Sequence, residues 1–385
     1  MKPLEGLRVV ELAQNLAGPF CGEILGALGA EVVKIERPDG GDDVRGWGPP
    51  FHEGAGTAFH ALNLGKKSVT LDLKDPESFA WLLDFIGESD IVLHNMRPGV
   101  MKELSLDGET LTARFPHLIY VEISGYGATG PMASSLGYDT IVQAVTGFFH
   151  LNGDPDGKPS RVGPSVLDMG SGMWGVIGVL SALRIREKTG KGAIIDTSLM
   201  ETALSYIAPA IANYSLAKTP PPRLRAGIMK VVPFEAFPTS DGEIIVAAAN
   251  DRLFRRLMVT LGLNAMAEDE RFRHNKDRAA NKAELIEAIR AVLSTQTTGY
   301  WLEALTKASI PCGPVNTLPQ ALDHPQTQAL GMIRECANSG LKLTSLPIRF
   351  DRQRVSIDGD APALGVDTDA NVRTDAQRRA QASND

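Results

Sequence analysis

Asp168 stands in the segment Gly163-Pro-Ser-Val-Leu-Asp-Met-Gly170. Just beyond it, Met173–Leu183 is apolar nearly all round, which predicts a long buried helix with Asp168 in its first turn. Unpaired N–H groups and the helix dipole favour an ionised carboxyl there by roughly 0.3–1 kcal/mol. Burial works against the charge. An ionised, poorly hydrated carboxylate can attack an activated carbonyl; taken alone, an acid at a helix start does no more than stabilise the helix. Tyr138, in Gly137-Tyr-Asp139, can donate a hydrogen bond to a developing oxyanion, and Asp139 can cap the helix that it opens. A structural reading serves this short motif equally well. His94-Asn-Met-Arg-Pro-Gly99 ends a predicted parallel strand, where open α/β sheets gather ligands. Asn95 can bond a ligand amide and Arg97 a phosphate, while His94 reads as an ordinary packed or solvated residue. The seven histidines show no metal-ligand spacing, so no metal is expected.

These groups need elements to hold them. Arg8–Leu12 reads as a strand, Phe20–Leu28 as a helix ended by Gly29, and Glu31–Glu36 as a second strand, which together make a βαβ unit. Strands are expected at 68–73, 90–94, 117–123 and 193–199, with a helix over 75–89 and a long one from about Ser165. A doubly wound α/β domain follows. The turn after the first strand, Ala13-Gln-Asn-Leu-Ala-Gly-Pro19, carries a single glycine where a dinucleotide site needs G-x-G-x-x-G, so a nicotinamide dehydrogenase is disfavoured. Glu36, ending the second strand, could touch a ribose, but by itself that is a weak signal. Thr219-Pro-Pro-Pro222 reads as a linker. Beyond it, a hairpin over 234–249 and helices near 253–261, 282–293 and 300–308 make a smaller α+β domain. Ser345–Phe350 is expected as a strand that rejoins the first domain, and the last twenty residues as a peripheral helix or frayed tail.

A chain of 385 residues suits two domains. The net charge of −7 with no basic tract disfavours nucleic acid and anionic membranes as partners. Met173–Leu183 falls short of the ~20 residues that span a bilayer. No apolar signal region precedes the first strand, and Cys21, Cys312 and Cys336 are widely spaced. A cytoplasmic protein with reduced thiols is expected.

Taken in order, further segments carry a resemblance. They are Leu4–Leu12, Ala17-Gly-Pro19, Leu28–Arg37, Gly41-Asp42 with Arg45, Asn63–Asp72, Asn95–Gly99, Gly125-Tyr-Gly127, Gly137-Tyr-Asp139, the Asp168 segment, Thr189–Gly192, Val232–Gly242 and Pro311–Val315. This set resembles the class III CoA-transferases, the family of formyl-CoA transferase, carnitine CoA-transferase and α-methylacyl-CoA racemase. The resemblance implies a Rossmann-like large domain (1–218), a linker (219–230), a small α+β domain (231–325) and a return segment (326–385). It also implies an interlocked-ring homodimer that uses coenzyme A as acyl-CoA co-substrate. Asp168 is implied as nucleophile, forming aspartyl–acyl anhydride and aspartyl–CoA thioester intermediates, with Tyr138 polarising the carbonyl. Gln14, Asn15, Leu16, Arg37, Leu71, Asn95, Met96, Arg97, Lys102 and Leu104 are implied at the CoA site. There are departures from formyl-CoA transferase. Leu16 replaces a mobile glutamine, no glycine run occurs around Arg225–Val232, and Glu103 stands where a basic residue is expected. They argue against formyl-CoA and oxalate and toward short dicarboxylates. The family's racemases carry a histidine where Tyr138 stands, and a phenol with an ordinary pKa near 10 abstracts protons poorly at neutral pH. A racemase, and a non-catalytic acyl-CoA-binding protein, are the alternatives.

Overall fold

The computed structural model describes residues 2–228, 230–336 and 340–368. The chain forms two compact units. One comprises Met1–Phe148, Arg161–Ala212 and the described residues from Gln328 onward; the other comprises Phe149–Ser160 and Asn213–Thr327.

The first unit is built on β1 (Arg8–Leu12), β2 (Glu31–Glu36), β3 (Lys67–Thr70), β4 (Ile91–His94), β5 (Ile119–Ser124) and β6 (Ile194–Ser198). They form one six-stranded sheet in the order β3-β2-β1-β4-β5-β6. Every pairing is parallel. The strand runs Arg-Val-Val-Glu-Leu and Glu-Val-Val-Lys-Ile-Glu are buried on both faces, as a parallel sheet covered by helices requires. Alternate side chains enter opposite layers. Val9, Val32 and Ile91 join one cluster, while Val10, Val33 and Val92 join the other.

The first layer is covered by α1 (Ala17–Ala27) and α4 (Val166–Thr189), the second by α2 (Pro76–Gly87). Two shorter helices matter to the site, α3 (Asp139–Val145) and α5 (Leu199–Tyr206). Helices α1 and α4 approach closely because α4 carries glycine where they meet. A Cβ on Gly172 would stand 2.7 Å from the Ala17 carbonyl oxygen, and one on Gly175 would stand 3.1 Å from Cys21 Sγ.

Helix α4 departs from expectation in two ways. It is the one helix among the described residues long and apolar enough to cross a membrane, whereas the sequence reading found no such stretch. Its Gly170, Gly172, Gly175, Val176 and Val179 nevertheless pack into the core. Nor is it buried all round, since Met173, Trp174, Ile177 and Leu180 lie 41–51% exposed. The return segment also differs. Ser345–Phe350 adds no strand to the sheet; only Arg349–Phe350 is extended, pairing with Gln353–Arg354. The chain instead closes on the edge strand farther on. Asp367 N–H donates to the Ser68 carbonyl, and Ser68 N–H to the Asp367 carboxylate. Thr70 N–H donates to Thr368 Oγ1. These bonds occupy the open edge of β3. Most of the expected C-terminal tail lies outside the described residues.

In the second unit, β7 (Phe234–Pro238) and β8 (Glu243–Ala247) form the expected antiparallel hairpin, and β9 (Cys312–Pro314) pairs with β8. Helices α6 (Asp251–Thr260), α7 (Lys282–Leu293) and α8 (Thr298–Lys307) close its own core around Phe237, Phe254, Leu285 and Trp301.

Candidate active site

The strand order reverses between β1 and β4, which stay paired to their C-terminal residues Leu12 and His94. The general physics of open α/β sheets puts ligands at such a point. A cavity of about 330 Å³ opens at this place. Gln14, Asn15 and Leu16 from the turn after β1 line it, with Arg37 from the end of β2. Asn95, Met96 and Arg97 follow from the end of β4, and Tyr138 and Asp168 from the starts of α3 and α4. Residues far apart in the chain therefore meet at one opening.

Asp168 is half-buried in the first turn of α4. Ser165, at the N-cap, makes no side-chain bond to the helix. Asp139 does that work. Its Oδ2 accepts from the Leu167 N–H at 2.8 Å and from the Asp168 N–H at 3.4 Å, while Oδ1 accepts from Gln143 Nε2 at 2.6 Å. Asp139 thus caps α4 as well as opening α3. The consequence is electrostatic. Burial pushes the Asp168 carboxyl up to about 7, and the neighbouring Asp139 carboxylate adds to the rise. The positive end of the helix, expected to favour an ionised Asp168, is taken up by Asp139.

Tyr138 is 57% exposed and lines the same cavity as Asp168. Gly125 and Gly137 let two loops touch behind it, since a Cβ on Gly125 would stand 2.8 Å from the Gly137 Cα. Asn95 lines the same cavity, its Oδ1 accepting from the Gln14 N–H at 2.8 Å and its Nδ2 donating to the Gln14 carbonyl at 2.7 Å. The Arg37 guanidinium bonds the Asp39 carbonyl and pairs with Asp43. His94 is buried and uncharged; burial pushes its pKa down to about 4, and its Nδ1 accepts from the Met96 N–H.

Three expected residues stand elsewhere. Leu71 is buried in the apolar layer beneath α2, and Leu104 packs against the same layer. Lys102 lines a separate cavity of about 210 Å³ beside Glu109, Glu122 and Asp196. Conversely, Trp47, Asp43, Ser135 and Leu136 line the main cavity and were not singled out from the sequence. Trp47 sits in Arg45-Gly-Trp-Gly-Pro, where an aromatic between glycines gave a signal. Among the described residues no group of three or more His, Cys, Asp or Glu could hold a metal ion.

The profile described as CoA-transferase family III matches residues 4–368. A succinate–glutarate CoA-transferase of Agrobacterium fabrum is 40% identical, the match covering 94% of this chain and 93% of the relative. An acetyl-CoA:oxalate CoA-transferase of Acetobacter aceti is 38% identical over 90% of this chain and 89% of the relative. Among solved structures, a CAIB/BAIF family protein from Brucella suis superposes with a TM-score of 0.87 at 37% identity, covering 97% of this chain and 99% of that one.

Proposed function

This chain belongs to CoA-transferase family III, and from that premise we propose that it moves coenzyme A from a short dicarboxylic acyl-CoA to a second short dicarboxylic acid, with Asp168 as the covalent relay. The observation that carries the reading is Asp168 itself, a carboxyl raised to about 7 that lines, with Tyr138, the cavity at the β1/β4 reversal. The relatives' names support the dicarboxylate class. Leu16, where formyl-CoA transferase has glutamine, argues against formyl-CoA, while the acetyl-CoA:oxalate relative keeps oxalate among the dicarboxylates to be tested.

The chemistry needs no water. An Asp168 carboxylate oxygen attacks the donor thioester carbonyl; the C–S bond breaks, CoA leaves as thiolate, and an aspartyl–acyl anhydride forms. The thiolate attacks the aspartyl carbonyl of that anhydride, releasing the donor acid as carboxylate and leaving an aspartyl–CoA thioester. The acceptor carboxylate attacks this thioester, expelling the thiolate once more. The thiolate then attacks the new acyl carbonyl, which frees acyl-CoA and restores the Asp168 carboxylate. Tyr138 donates its hydroxyl to the oxyanion at the attacked carbonyl. Gln14, Asn15, Leu16, Arg37, Asn95, Met96 and Arg97 hold the coenzyme. Lys102 joins them only if the coenzyme extends beyond the main cavity.

The homodimer belongs to the same proposal. The face of α4 bearing Met173, Trp174, Ile177 and Leu180 is apolar and exposed in the single chain, and a second copy would cover it. The interlocked arrangement, the domain division at 219–230 and 326, and the cytoplasmic compartment are carried over from the resemblance and the cysteine usage.

The experiment incubates purified protein with succinyl-CoA and a panel of carboxylic acids, reading new acyl-CoA species by mass spectrometry. Transfer to glutarate and its neighbours is expected. Transfer to none of the dicarboxylates would overturn the substrate class, and deuterium uptake at the α-carbon of a 2-methylacyl-CoA without transfer would favour the racemase.

A further inference from the structure

The turn after β1 does without the glycines that usually let a chain approach a coenzyme. Its shape is imposed from outside. Both peptide links, Ala13–Gln14 and Gln14–Asn15, have their carbonyl and N–H bonded by side chains. Lys34 Nζ donates to the Ala13 carbonyl at 2.7 Å. Asn95 takes the N–H and the carbonyl of Gln14. The Asn15 N–H donates to Asp42 Oδ1 at 3.0 Å. Asn15 itself sits at φ 64°, the left-handed region that non-glycine residues rarely adopt.

Two of those anchors are one unit. Lys34 Nζ and Asp42 Oδ2 form an ion pair at 2.8 Å, and both side chains are 0% exposed. Glu11 accepts a further bond from Lys34 at 3.0 Å. Burial works against the Lys34 charge, but Glu11 and Asp42 hold its pKa above the ordinary range. Asp42 Oδ1 also accepts from the Val44 N–H at 3.1 Å, and the adjacent Asp43 pairs with Arg37. A buried ion pair adds little stability that apolar residues could not supply. What apolar residues could not supply is a donor on Ala13 and an acceptor under Asn15.

We propose that Asp42 and Lys34 are positioning residues for the coenzyme, a buried ion pair that holds the 13–16 turn in its left-handed shape so that Gln14, Asn15 and Leu16 face the cavity. Neither touches substrate; both act through the turn. The inference rests on the proposed function only in taking the cavity to bind coenzyme A.

The test is titration calorimetry of free coenzyme A against full-length wild type, Asp42→Ala and Asp42→Asn, with succinyl-CoA:glutarate kinetics alongside. Asp42→Ala removes the acceptor and is expected to weaken CoA binding by about ten-fold or more. Asp42→Asn keeps an acceptor but loses the ion pair, and is expected to weaken it by about three-fold. The KM for succinyl-CoA rises in step, while the KM for glutarate stays within about two-fold. A merely structural role would lower the melting temperature and leave the CoA affinity of the folded protein unchanged; that result overturns the proposal. If Asp42→Ala does not fold, an unaltered affinity in Asp42→Asn overturns it equally. Wild type that fails to bind coenzyme A would instead bring down the functional reading, and the inference with it.

Discussion

Asp168 is a weak acid held where a stronger one would be easier to build. Its carboxyl is lifted to about 7, first by burial and then by Asp139. Only the ionised form attacks, so kcat/KM for acyl-CoA should climb as pH rises through about 7. Asp139→Asn removes the charge but keeps an oxygen for the Leu167 N–H. It should move that rise to lower pH, and a pH–rate profile of the variant checks it. Stability runs the other way. A carboxyl whose folded pKa lies above its unfolded value makes the folded state lose stability as pH rises from about 4 to 7. Asp168→Asn should therefore raise the melting temperature at pH 8 and leave it little changed at pH 4. Tyr138→Phe should lower kcat by about 10²-fold with KM nearly unchanged, as for loss of one oxyanion donor. In the sequence, the motifs of Asp168 and Tyr138 alone allow a structural reading, and the proposed roles come from the resemblance carried by the ordered segments. The sequence could not show that Asp139 caps the second helix, because that bond joins residues 28 apart in sequence.

At the scale of elements, the alternating apolar runs made the six strands and α2 legible, with ends shifted by up to three residues. Helix α4 was legible in length and not in burial. Composition counts apolar residues, and the two faces of this helix are both apolar, one glycine-rich and packed, the other large and exposed. Leu71 and Leu104 carried the same ambiguity, since a leucine beside a site and a leucine beneath it look alike in sequence. The glycine face gives a direct test. Gly172→Ala raises helix propensity by about 1 kcal/mol. It nevertheless drives a Cβ toward the Ala17 carbonyl, a backbone atom that cannot swing aside. We expect a net loss of about 1–3 kcal/mol in chemical denaturation, with weaker CoA binding because Ala17 adjoins the 13–16 turn.

At the scale of the whole molecule, segments far apart in the chain converge on one opening, and the proposed homodimer adds a second copy. Met173, Trp174, Ile177 and Leu180 are large apolar groups on one helix face. Ile177→Asp would place a charge in the middle of that face. Analytical ultracentrifugation should show wild type as a dimer and the variant as a monomer or as aggregate; an unchanged dimer would place the interface elsewhere. The covalent relay through Asp168 leaves an intermediate that can be trapped. Wild type is mixed with succinyl-CoA, quenched with hydroxylamine, digested and examined by mass spectrometry. A hydroxamate is expected on the peptide containing Asp168, formed only when succinyl-CoA is present and missing from Asp168→Asn. An unmodified Asp168 peptide from enzyme that is turning over would contradict the relay.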